Sequence, residues 1–115
     1  DIQDVVQPTT PEMDIAYLQS TFGDRLCFCG SMCVQTILPF GAVAEVEREV
    51  RRRLALFPEG GLFLGPTHAI QVGTPIENIL AMYRTAGSLA TDVGHAIRDT
   101  LAEADKQEFD RFKLF

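Results

Sequence analysis

The chain has 115 residues, 46% of them hydrophobic and 23% charged, with a net charge of −6. That length accommodates one small domain, and no apolar run reaches the roughly 20 residues of a membrane-spanning helix. The cations concentrate in one run, residues 48–53, where glutamates interrupt them, so the sequence lacks the one-sided basic surplus that nucleic acid demands.

In chain order, "DIQDVVQP" reads as a short strand ending at Gln7-Pro8. Asp14 is placed as an N-cap ahead of Ile15, Leu18 and Phe22 at helical spacing, and Gly23 is a natural stop. "RLCFCG" is a second apolar strand, closed by Gly30. The strongest helical pattern is "AVAEVEREVRRRLALF", in which Val43, Val46, Val50, Leu54 and Phe57 form one apolar stripe. Glu47 with Arg51 and Glu49 with Arg53 are i,i+4 pairs assigned to its wet side. Pro58 stops that helix, Gly60-Gly61 turns the chain, and "LFLG" is the third strand. Thr74-Pro75-Ile76-Glu77 has the form of a capping box with proline at the first helical position. Ile76, Ile79, Leu80 and Tyr83 mark the buried face expected of that helix, which Gly87 interrupts. A last helix carries Leu89, Val93, Ile97 and Leu101, and the tail "FDRFKLF" is apolar enough to dock.

Strand–helix three times over predicts an α/β fold with parallel strands joined by helical crossovers. Three parallel strands are few, and such sheets want both faces covered. More sheet is therefore expected, from residues outside this chain or from another copy. Cys27, Cys29 and Cys33 are odd in number and tightly spaced, which points to reduced thiols in a cytoplasmic protein rather than a disulfide framework. No basic segment precedes an apolar one, so no signal peptide is read, and a chain beginning at Asp1 is expected to be a cleaved or truncated piece. Neither a Gly-rich phosphate loop nor a Gly-x-Ser-x-Gly elbow is present. His68 stands just past the third strand, where an imidazole can hydrogen-bond a carboxylate or help place a proton.

The segments "VVQP", "FGDRL", "VQTILPFG" and "GPTHAIQ…TPIENILAMY", taken in order, resemble the C-terminal part of the uroporphyrinogen decarboxylase superfamily. The likeness runs from about Asp1 to about Gly87. It implies the last three βα units, strands six to eight, of a TIM (β/α)8 barrel, with residues 1–87 as core units and 88–115 as terminal helix and tail. In parallel barrels the C-terminal strand ends face the active site. The resemblance thus implies that His68 contacts substrate as the catalytic candidate, and that Cys33, Gln35 and Gln71 bind it.

The implied parent activity is cofactor-free decarboxylation of a tetrapyrrole's acetate side chains. The family's N-terminal half carries the arginine and aspartate for that chemistry, so the chain is expected to be inactive alone and to associate with that half or with its own copies. The family pattern Gly-Gly-x-Asp-x-Gln is replaced here by Gly30-Ser31-Met32-Cys33-Val34-Gln35, with cysteine in place of aspartate. Two alternatives stand beside this reading, the first raised by that departure and the second by the open edges of a short parallel sheet. One is the corrinoid-dependent methyltransferase branch, which binds zinc through His and Cys, although no metal ligand set is assigned in this chain. The other is a non-catalytic assembly domain that pairs through open sheet edges.

Overall fold

The computed structural model describes residues 1–87. The helix expected around 89–101 and the tail 109–115 lie outside the described residues. The elements run β1 (Ile2–Val6), α1 (Ile15–Phe22), β2 (Cys27–Met32), α2 (Ile37–Phe40), α3 (Val43–Leu56), β3 (Leu62–Pro66) and α4 (Ile76–Thr85). The strands form one parallel sheet in the order β1-β2-β3, so each helical crossover leads to the next neighbour. The α/β class and parallel strands agree with the sequence pattern.

Period-2 alternation divides β2 and β3 between two faces, whereas in β1 a register shift between Gln3 and Val6 brings Val6 to the face opposite Ile2 and Asp4. On one face Val6, Phe28 and Leu62 pack with Ile15, Leu18 and Phe57, while Met32 and Leu64 join Val46, Val50 and Met82. Phe28 is fully buried and meets the Phe57 ring edge-on at 5.9 Å. Each such large apolar side chain contributes about 1.5–3 kcal/mol on burial. The other face carries Ile2, Asp4, Cys29 and Phe63 around a shallow depression of about 420 Å³. Ile2 and Phe63 are 55% and 61% exposed there, so the described helices all cover the opposite side. Each step thus goes to the next neighbour, with the described helices on a single face of the sheet.

Local chemistry explains most boundaries. Asp14 caps α1, its Oδ1 accepting from the backbone N–H groups of Ala16 and Tyr17 at 3.0 Å each. Glu45 reaches back to accept from the Ala42 N–H at 2.8 Å and starts α3. Gly60 and Gly61 both take positive φ in the turn before β3.

Four expectations are corrected. Gly30 does not close β2, which runs on to Met32 through two left-handed residues, Gly30 (φ 96°) and Ser31 (φ 76°). The α3 stripe is narrower than its spacing implies: Val43 and Leu54 are exposed, and Arg53, placed on the wet side, is buried. Only Ser31 and Glu49, which accept its hydrogen bonds, make that burial tolerable. The capping box before α4 does not form. Pro75 takes the N-cap position, and the Thr74 hydroxyl lies buried with no partner among the described residues. Along α4, Asn78, Ala81 and Met82 are buried with Leu80, whereas Ile76, Ile79 and Tyr83 are half-buried. Asn78 faces inward because its amide donates to the carbonyls of Leu38 and Gly41 at 2.9 and 2.7 Å, fastening the short helix α2.

Candidate functional site

All three strands end at one rim, and the residues that follow them enclose a cleft of about 470 Å³. Gln7 follows β1, Val34 and Gln35 follow β2, and Thr67, His68 and Gln71 follow β3. Parallel strands make this convergence automatic, because their carboxyl ends lie on the same side. The rim is stitched by Thr67: its N–H donates to the Met32 carbonyl at 2.9 Å, and its Oγ1 accepts from the Val34 N–H at 3.3 Å.

The expected site residues occupy two layers. Gln35, His68 and Gln71 line the cleft and are exposed. The Gln71 amide donates to the Ala69 carbonyl at 2.6 Å and lies 3.4 Å from His68 Nδ1, so it steadies the imidazole from one side. Cys33 lies beneath, 3% exposed, and does not line the cleft itself. Its Sγ accepts from the Gln7 amide at 3.1 Å and from the Gln35 N–H at 3.4 Å. The Gln7 amide also approaches Gln35 Oε1 at 3.5 Å, so the buried sulfur anchors two side chains of the cleft wall.

Burial alone pushes the Cys33 thiol up. Hydrogen bonds from the Thr36 side chain, the Gln35 N–H, Gln7 and the Thr36 backbone favour the thiolate and carry the net shift below the ordinary value. Cys29, on the uncovered face, goes the other way, raised first by burial and then by the hydrogen bond and negative charge of Asp4. Among the described residues that line the cleft there is no Asp, Glu, Lys or Arg. It offers amides, one hydroxyl and one imidazole, groups that orient a polar ligand by donating and accepting hydrogen bonds. Among the described residues no three His, Cys, Asp or Glu side chains converge in a way that would hold a metal ion.

Gln7 and Thr67 are cleft residues that the sequence reading did not single out. Their signal was positional: each is the first residue past a strand. No family model matches the chain, and neither a curated protein nor a solved structure matches it.

Proposed function

We propose that the chain is the C-terminal wall of a uroporphyrinogen-decarboxylase-like (β/α)8 barrel and that its cleft is one side of the active site. The observation that carries this reading is the convergence of Gln35, His68 and Gln71 at the carboxyl ends of consecutive parallel strands whose helices lie on one face. The order of "VVQP", "VQTILPFG" and "GPTHAIQ" along the chain supports it, because these segments supply the three strand ends.

In this reading His68 hydrogen-bonds a substrate carboxylate, Gln71 holds the imidazole, and Gln7 and Gln35 form the opposite wall. Decarboxylation breaks the bond between an acetate methylene and its carboxylate, releases CO2, and requires a proton at the carbon left behind. Among the described residues the cleft supplies no carboxylic acid for that proton, so in this reading the acid comes from the N-terminal half that the resemblance implies.

Two assays separate binding from turnover. Uroporphyrin, titrated and followed by its own fluorescence anisotropy, is expected to bind saturably, and His68→Ala is expected to weaken binding about tenfold, the value of one hydrogen bond to a charged group. Uroporphyrinogen turnover by wild type and His68→Ala is expected to stay at the background rate in both. A wild-type rate above background would overturn the claim that the acid lies elsewhere.

A specific observation favours a second reading. The outer edges of β1 and β3 are unpaired among the described residues, and the sheet face bearing Ile2 and Phe63 is bare. Those features, as the described residues present them, suit a non-catalytic assembly domain that hides its edges against its own copies.

A further inference from the structure

Arg53 is a buried cation that the cleft chemistry leaves unused. It is 4% exposed on α3, on the helical side of the sheet. Its Nε donates to the Ser31 carbonyl and to Ser31 Oγ, each at 3.1 Å, and its Nη2 donates to the same carbonyl at 2.9 Å. Nη1 donates to the Glu49 carbonyl at 2.9 Å and to Glu49 Oε2 at 2.6 Å, which neutralises the charge. A guanidinium taken out of water is costly and persists only with such partners.

What it grips is the irregular point of β2. Gly30 and Ser31 both have positive φ, a conformation that serine rarely adopts and keeps only where its surroundings hold it. Strict alternation from Phe28 would aim Ser31 at the uncovered face beside Cys29. Instead its side chain is fully buried against Arg53. The chain then runs directly into Met32, Cys33, Val34 and Gln35. The Met32 carbonyl accepts from Thr67 of the neighbouring strand end, whereas the preceding carbonyl, that of Ser31, accepts from Arg53.

The geometry points to Arg53 as a positioning residue that latches Ser31 in its left-handed conformation and so sets the β2 rim on which Cys33 and Gln35 sit. The inference rests on the cleft reading above, but its primary readout needs no ligand. The reactivity of the buried Cys33 thiol toward iodoacetamide, localised by fragment-ion mass spectrometry, reports whether the rim holds its place.

Arg53→Met keeps the length and apolar stem of the side chain while deleting the fork. Cys33 labelling is expected to accelerate by about tenfold or more as the rim opens locally, with Cys27 and Cys29 labelled at wild-type rates. Arg53→Lys, which keeps one donor, is expected to fall between wild type and Arg53→Met. The double variant Ser31→Gly with Arg53→Met is expected to restore slow labelling, since glycine adopts positive φ without a latch. A residue that merely fills space would show no such rescue. If Arg53→Met fails to fold, the double variant is still expected to fold with Cys33 protected. Unchanged Cys33 labelling in folded Arg53→Met, or a double variant as reactive as the single one, would overturn the latch. Intact labelling behaviour combined with no uroporphyrin binding would instead overturn the tetrapyrrole reading and leave the latch standing.

Discussion

Cys33 and Gln35 stand two residues apart past the same strand, yet one is buried and the other exposed. The residue between them, Val34, also belongs to the core, so the chain stays buried from Gly30 through Val34 and emerges only at Gln35. Sequence places all of these residues at the rim but cannot show which of them the rim buries. Hydrogen bonds to Cys33 give its thiol a lower pKa than usual, and the sign of the consequence is fixed. A thiol whose folded pKa is depressed adds stability that is fully present above the unfolded pKa and is lost as pH falls through the folded value. Thermal melts between about pH 10 and pH 7 are therefore expected to show wild-type stability declining relative to Cys33→Ala as pH drops. A parallel pH dependence in the two proteins would show that no preferential thiolate forms. Gly30 is a second test at this scale. An added Cβ would collide with Val5 Cγ2, and φ is 96°. Gly30→Ala is expected to cost at least about 2 kcal/mol in chemical denaturation.

The helix α3 shows where periodicity informs and where it misleads. Spacing identified the element and its central core positions, Val46 and Val50, because 3.6-residue geometry brings them to one face. Spacing could not place the edges of that face. Leu54 is 42% exposed, while Arg53, a strongly hydrated residue type, turns inward to reach a strand carbonyl that no sequence pattern reveals. Val50→Ala is accordingly expected to cost about 2 kcal/mol, two methyl groups plus the cavity they leave, and Leu54→Ala under about 1 kcal/mol. Equal losses in urea denaturation would reinstate the broader stripe. The cap of α1 was legible because Asp14 acts within its own turn, whereas Thr74 was misread because proline, fixed near φ −59°, takes the N-cap position one residue later. The one-turn helix α2 left no periodic signal, being too short to repeat.

For the whole molecule, the alternation of elements was enough to give an α/β fold with parallel strands, since that order allows few other arrangements. The convergence of three strand ends follows from parallelism, which explains why His68, Gln35 and Gln71 could be placed at one cleft from sequence. The deeper layer, with the Cys33 anchor and the Arg53 latch, depends on contacts between residues far apart in the chain, and so it was not legible. Among the described residues one sheet face is uncovered and both outer strand edges are unpaired, which predicts association in solution. Light scattering after gel filtration is expected to give a mass above the 12.7 kDa of one chain, and a well-folded monomer at all concentrations would sink the assembly reading. The central claim, that the cleft is a tetrapyrrole-contacting wall, is tested most directly by titrating uroporphyrin against wild type and His68→Ala and reading porphyrin anisotropy. The account predicts saturable binding by the wild type, weakened about tenfold when the imidazole is removed. Binding that is absent in wild type, or equal in the two proteins, would contradict it.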